Sequence, residues 1–352
     1  MAVRQTGKAD NAALTQLKRD VKAKQPARLY FFYGEETWLR DSYLGQLKDL
    51  ILPKGLEEFN LHTLNGKACT PDTLADAVDS LPMMSSRSLI LIWDCDIFKA
   101  PQRDQDAYAE LLGDLPDYVC VIFIYDTIKL DKRSLKGALG KLAKGSPALV
   151  QFSRQENRDL IPWIQKHMKA LGKTIDRTQA EYLIFVTGGR MADLKNGIDK
   201  TAAYAKGSAV TQADIDAVCD PVLDAVVFQM TDCIAQGNFP RAAGILADLL
   251  AMEQPPMMIL GMMGKQVRQL YTARLALEQK LGREWLMEIW SMKSAWAANR
   301  LLDNAGRFPA GWYRKAVLLT AEADRTLKLS YNEEKAILSE LLARLAEASE
   351  QC

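Results

Sequence analysis

Leu29-Tyr30-Phe31-Phe32-Tyr33-Gly34-Glu35-Glu36-Thr37-Trp38-Leu39 decides how this chain is read. Five apolar residues run into a glycine, and helical periodicity follows over residues 39–52. A strand without polar alternation is buried on both faces, as in a parallel sheet. Strand, glycine turn and helix in that order mark the place where a P-loop is sought. That loop needs Gly-x-x-x-x-Gly-Lys-Ser/Thr: glycines let backbone amides surround phosphates, the lysine meets the terminal phosphates and the hydroxyl holds magnesium. Here Gly34 stands alone. The second glycine and the lysine are missing, and Glu35 and Glu36 would repel a triphosphate. Gly172-Lys173-Thr174 has the right tripeptide, but His167 holds the first glycine's position and a helix precedes it, so a glycine C-cap is the simpler reading.

Working outward, residues 89–93 and 119–125 are further continuous apolar runs, with a helical pattern between them over residues 108–115. Thr70 is an N-cap with Pro71 at the first helical position; Leu74, Ala77, Val78 and Leu81 then recur on one helix face until Pro82 breaks it. Near residue 155 the strands stop and helices take over. Pro162 opens one that Gly172 closes, Gly188-Gly189 stops another, Thr211 caps a short one, and longer helices follow Asp220-Pro221, with Pro221 and Gly311 as joints. The expected division is an N-terminal extension over 1–20, a candidate for mobility, then an α/β domain over 21–155, a small helical domain over 156–220 and a larger helical domain over 221–352.

The second element of a nucleotide switch is an acidic pair after a buried strand, with Asp helping to hold magnesium and Glu activating water. Leu91-Ile92-Trp93-Asp94 resembles that strand and its Asp, but Cys95 stands where the Glu belongs. A thiol does not replace a carboxylate base at neutral pH. Asp94 and Asp96 are open to two readings, a cation site or loop residues at a strand end. Gly34, Asp94 and Cys95 thus mark a degenerate nucleotide site, not expected to function.

At 352 residues the chain has room for two or three domains, and its formal net charge of +1 is too small for a general nucleic-acid binder, so any DNA contact is local or shared with other subunits. Residues 1–10 are polar and are not read as a signal peptide. No apolar run nears the ~18 residues of a membrane span. Cys69, Cys95, Cys120, Cys219, Cys233 and Cys352 are scattered without a C-x-x-C, and His62 and His167 are the only histidines. A reduced, cytoplasmic protein is expected, with no metal, no cofactor, no disulfide framework and no membrane contact.

Residues 29–36 and 80–90 (Ser80-Leu81-Pro82-Met83-Met84-Ser85-Ser86-Arg87-Ser88-Leu89-Ile90), Leu130-Asp131-Lys132-Arg133-Ser134-Leu135-Lys136, Met191-Ala192-Asp193-Leu194 with Asn196, Lys200 and Tyr204, and Glu322-Ala323-Asp324-Arg325-Thr326-Leu327-Lys328 form one ordered series. Over almost the whole chain this series resembles the delta-subunit family of bacterial DNA polymerase III clamp loaders. Two departures stand out: Gly197 where the family usually has a glutamate, and Met83-Met84 where it often has aromatic residues or leucine.

The resemblance implies an α/β plus all-α fold: a degenerate AAA+ module, made of a P-loop-like parallel-sheet domain and a helical lid, then a C-terminal helical collar for oligomerisation. It implies a subunit that binds the beta sliding clamp and opens the ring for loading on primed DNA during replication, without hydrolysing ATP. No catalytic residue is expected, and membership of the polymerase holoenzyme is through the complex alone. Implied partners are the clamp, the AAA+ ATPase subunits and delta-prime in a pentamer, and primer–template DNA. The alternative is a non-replicative interaction scaffold built on a vestigial nucleotide-binding domain. An active P-loop ATPase and a metal enzyme on Asp94 and Asp96 rank below it.

Leu81, Pro82, Met83, Met84 and Arg87 are the clamp-binding candidates. Periodicity alone makes both methionines a cover for the core; the resemblance favours a clamp contact. Arg87 either pairs with acidic groups at the clamp's rim or is an exposed strand-start arginine. Tyr331, in a break between helices with Asn332 as N-cap, either stacks on a base or closes a helix hairpin; Lys328 is the second DNA candidate. Lys129, Lys132, Arg133 and Lys136 make a basic face on a connecting helix, solvated by default. Trp285, Trp290 and Trp296 are either internal packing or collar interface.

Overall fold

The apolar runs form the middle of a parallel sheet. The computed structural model describes residues 10–145, 148–329 and 334–350. The chain divides into two units, Met1–Arg154 and Gln155–Cys352. In the first, α1 (Asp10–Ala23) precedes β1 (Leu29–Gly34), α2 (Thr37–Ile51), the short α3 (Glu57–Asn60), β2 (Leu61–Asn65), α4 (Pro71–Asp79), β3 (Ser88–Trp93), α5 (Gln102–Gly113), β4 (Val119–Ile124), α6 (Gly137–Lys144) and β5 (Leu149–Phe152). The five strands are parallel in the order β2-β3-β4-β1-β5.

Successive side chains of a strand point to opposite faces. Phe31, Ile90, Ile92, Val121 and Phe123 therefore meet Leu74 and Val78 of α4, Tyr108 and Leu112 of α5 and Leu139 of α6. Tyr30, Phe32, Leu89, Leu91 and Ile122 meet Leu14 and Leu17 of α1 and Leu44, Leu47 and Ile51 of α2 on the other face. The expected extension over 1–20 is thus corrected from Asp10 onward. Leu14, Leu17 and Val21 form one helix stripe, and burying it holds α1 against the sheet. Thr70 and Pro71 start α4 as expected, with a reciprocal capping box to Thr73.

The second unit is helical: α7 (Asn157–Ala170), α8 (Arg177–Thr187), α9 (Met191–Tyr204), α10 (Gln212–Val218), α11 (Leu223–Ala235), α12 (Phe239–Ala251), α13 (Pro256–Glu278), α14 (Arg283–Trp290), α15 (Ala295–Ala305), α16 (Ala310–Leu329) and α17 (Glu334–Glu350). Pro162 does not open α7. It lies inside, where its missing N–H forgoes one ladder bond. Gly311 is no joint but part of the first turn of α16. Gly172, with φ of 74°, follows α7, and the Lys173 ammonium donates to the carbonyls of Ala205 and Gly207. The tripeptide there serves helix termination.

Residues 156–220 and 221–352, expected as separate domains, fall in one unit. Phe185 of α8 packs on Phe228 of α11 and Trp296 of α15, with ring centroids 5.0 and 4.8 Å away. The buried Glu181 carboxylate accepts from the Trp296 N–H at 3.0 Å. Val227, Leu260, Val267, Leu301, Tyr313, Leu341 and Leu345 are central to the core, and Trp285, Trp290 and Trp296 pack against it.

Candidate functional site

Ligands of open parallel sheets bind in the crevice beyond the strands' carboxyl ends. In this chain the part of that crevice beside β1, β4 and β5 is taken up by its own residues. Gly34 ends β1 at φ of 131°, and a Cβ built there lies 2.3 Å from the Phe152 carbonyl oxygen. The Glu36 N–H donates to the same carbonyl at 3.0 Å. An amide that a P-loop would leave for phosphate is engaged with β5. One turn into α2, the Arg40 side chain is 4 % exposed and pairs with Asp126 at 2.6 Å and Asp41 at 2.8 Å. Its guanidinium also lies 5.5 Å from the centre of the Trp93 ring. Burial works against the charge on Arg40, but its hydrogen bonds to Asp41 and Asp126 raise its pKa on balance. Trp93 closes β3 and Asp126 follows β4, so Arg40 bridges the ends of two strands.

Asp94 adopts a left-handed conformation, φ 52°. Its Oδ1 accepts from the amides of Asp126, Thr127 and Ile128 at 2.8, 2.9 and 3.3 Å, and its Oδ2 from the Thr127 hydroxyl at 2.7 Å. Partial burial opposes ionisation, but these bonds prevail and hold the carboxyl below the usual carboxylate range. Asp94 therefore fastens the loop after β4. Asp96 pairs with Lys99 at 2.7 Å. Among the described residues, no group of three or more His, Cys, Asp or Glu side chains is placed to hold a metal ion.

Residues 80–87 link α4 to β3 at the other end of the sheet. Leu81 does not join Leu74, Ala77 and Val78: α4 ends at Asp79, so helical periodicity stops applying and Leu81 is 69 % exposed. Met83 is 56 % and Met84 87 % exposed, and Met84 has a φ of 51°, costly for an unbranched L-residue outside a turn that demands it. The backbone beneath is pinned. Asn60, fully buried at the end of α3, donates to the Met83 carbonyl at 3.0 Å and accepts from the Met83 N–H at 2.8 Å. The Ser85 hydroxyl bonds both backbone groups of Arg87, and an Arg87 Nη1–H donates to the Pro26 carbonyl at 3.1 Å. Pro82 is half-buried. Asn60 was not singled out in the sequence, nor was its neighbour Phe59, which is 54 % exposed.

Of the DNA candidates, Lys328 lies in the last turn of α16, paired with Asp324 at 2.5 Å, and Tyr331 lies outside the described residues. The expected basic helix face does not form. Asp131 caps a single 3-10 turn, Lys132–Ser134, and Gly137 starts α6 at φ of 64°. Lys132 donates to Gln151 and Arg133 pairs with Asp131.

The comparisons with known proteins agree with this arrangement. The family described as DNA polymerase III, delta subunit, matches residues 30–153, and DNA polymerase III delta subunit, C-terminal domain, matches residues 224–345. The chain belongs to the DNA polymerase III delta subunit family. This delta-family chain is 18 % identical over 341 residues to the DNA polymerase III subunit delta of Bacillus subtilis, covering 95 % of this chain and 97 % of that one. A probable DNA polymerase III subunit delta of Aquifex aeolicus is 23 % identical over 273 residues, 75 % of this chain and 76 % of the relative. In fold it matches the structure of a Bacillus subtilis DNA clamp loader delta protein with a TM-score of 0.50 at 18 % identity, over 95 % of this chain and 99 % of the other. The fold is thus a parallel-sheet α/β domain followed by a helical region, as the sequence led us to expect.

One departure from the delta-family pattern and one of its signatures gain a physical reading. Gly197 is buried, and a Cβ there would meet Leu183 and Thr187 of α8 at 3.2 Å and the Cys219 sulfur at 3.4 Å. The helix accepts glycine's poorer propensity for a close approach that a glutamate side chain would prevent. Near the C-terminus, Glu322 of α16 pairs with Arg344 of α17 at 2.9 Å.

Proposed function

We propose that this delta-family chain is the clamp-opening subunit of a clamp loader: it binds a ring-shaped sliding clamp through Leu81, Pro82, Met83 and Met84 and has no nucleotide chemistry of its own. The observation that carries the reading is the exposed apolar tip on a pinned backbone. Two methionines, 56 % and 87 % exposed, stand over a buried asparagine that takes both backbone groups of Met83. A protein gains nothing within its own fold from holding thioethers in water, while an apolar pocket on a partner gains about 1.5–3 kcal/mol for each such side chain it buries fully. Methionine's flexibility suits an irregular pocket. Arg87, tied to Pro26, supports the tip's base. The engaged crevice supports the second half of the reading, since the Glu36 amide is taken by Phe152, Arg40 by Asp41 and Asp126, and the Asp94 carboxylate by its own loop.

Opening needs no covalent step. A subunit that binds the sprung ring more tightly than the shut ring moves the population toward the open form. Neighbouring loader subunits supply the nucleotide dependence, and Lys328 with Tyr331 offers a local contact to primer–template DNA. The test is binding of the purified chain to the beta clamp without nucleotide. Met83→Ala combined with Met84→Ala removes about 3 kcal/mol of contact, roughly a hundredfold in affinity, with the melting temperature unchanged. A folded double variant that binds the clamp as the parent does would refute the reading.

A further inference from the structure

β2 and β3 run in register, with Asn65 opposite Trp93, so the segments leaving them continue side by side. This brings Cys69 and Cys95 together. The Cys95 thiol donates to the Cys69 carbonyl at 3.7 Å, and the Tyr108 hydroxyl donates to the same carbonyl at 2.6 Å. Both cysteines line an open cavity of about 420 Å³ with Thr70, Asp96, Ala100 and Tyr108. Cys69 is buried and Cys95 partly open to that cavity. Neither thiol is used by the tip or by the engaged crevice.

We propose that Cys69 and Cys95 form a reversible disulfide, made by a hydroperoxide oxidant, that ties together the outer ends of the two elements flanking the tip. Cys69 immediately precedes the Thr70 cap of α4, and Cys95 lies two residues beyond β3. The bond would close one loop around α4, the tip and β3.

The two thiols are unequal. Cys69 is buried, and burial pushes its thiol up, while Cys95 is the more open of the two to the cavity. A peroxide entering the cavity reaches the more open sulfur first, which makes Cys95 the nucleophile and Cys69 the resolving group. The Cys95 thiolate attacks the peroxide, forming S–O and breaking O–O, and the leaving oxygen takes a proton. The Cys69 thiol then gives up its proton and attacks the Cys95 sulfur, forming S–S and breaking S–O, with water leaving. Two thiols lose two electrons, and one hydrogen peroxide becomes two waters.

The test uses the full chain, reduced and then treated with stoichiometric hydrogen peroxide, with thiol counting and non-reducing peptide mapping. Two thiols are lost together, a peptide pair joined through Cys69 and Cys95 is recovered, and dithiothreitol reverses both. In Cys69→Ser the link is absent and Cys95 is trapped by dimedone as its sulfenic acid. The wild-type map requires no variant to fold. Folded wild-type protein that yields no Cys69–Cys95 link, or forms it no faster in buffer than in urea, overturns the proposal.

Discussion

Replacing Asp94 by alanine separates its two conceivable roles. A magnesium ligand contributes nothing to the stability of a metal-free fold, whereas the loop fastener seen here contributes a good deal. The carboxylate accepts three backbone amides and one hydroxyl, at 2.7 to 3.3 Å. Hydrogen bonds to a charged group are worth about 1.5–3 kcal/mol each when sheltered, but this loop is open to solvent and water can take over the freed amides. A net of roughly 0.5–1 kcal/mol per bond is appropriate, or about 2–4 kcal/mol in all. Alanine also pays for the left-handed φ of 52°, roughly a further 1 kcal/mol. An asparagine side chain would keep the Oδ1 acceptor and tolerate that conformation, so Asp94→Asn should lose less than half as much. Urea denaturation at neutral pH, with and without Mg-ATP, reads both roles at once. We expect Asp94→Ala to fall by about 3–5 kcal/mol, Asp94→Asn to fall less, and Mg-ATP to change neither these nor the parent. A stable Asp94→Ala, or a parent stabilised by Mg-ATP through Asp94, refutes the reasoning.

The same carboxyl gives a pH dependence. Its folded pKa lies below the unfolded value of about 3.9. Its contribution is therefore complete above that value and is lost as pH falls through the folded one, so the stability gap between the parent and Asp94→Ala should shrink only in acid. Asn60→Ala removes the bonds to Met83 and a third to the Leu56 carbonyl; it should cost roughly 2–3 kcal/mol and speed hydrogen exchange at the Met83 amide, and unchanged exchange would show that the tip is held some other way. Gly197→Glu should cost about 3 kcal/mol or more by forcing a carboxylate between α8 and α9, and a melting temperature equal to the parent's would disprove that packing.

How much of this could be read in the sequence depended on whether a residue's neighbours were near in the chain. The central strands announced themselves because burial on both faces leaves no polar alternation, and α4 because Thr70 and Pro71 are local start signals. β2 escaped notice because it lies at the sheet's edge, half-buried and mixed in polarity. β5, four residues long, carried too few to show a period. The stripe of Leu14, Leu17 and Val21 is present in the sequence, but it straddles the boundary drawn at residue 20 and three residues show little of a period. At the sites, the missing glycine and lysine of a P-loop were plain from residue types alone. What fills the space was not. Arg40 and Asp126 are 86 positions apart and Asn60 and Met83 are 23 apart, and no local pattern announces such pairs. Leu81 shows the opposite error, a periodicity extended two residues past the end of its helix.

Arg40 has a consequence for anyone hoping to give this fold back an ATPase. Grafting the missing glycine and lysine after β1 would leave a cation already lodged among Asp41, Asp126 and Trp93, and an aspartate committed to its own loop. A retrofit would have to evict those tenants and replace the cohesion they supply before a triphosphate could enter. The residues that would have to leave are the same ones that tie the loop after β4 to the ends of β3 and α2, so opening the space and keeping the fold pull against each other.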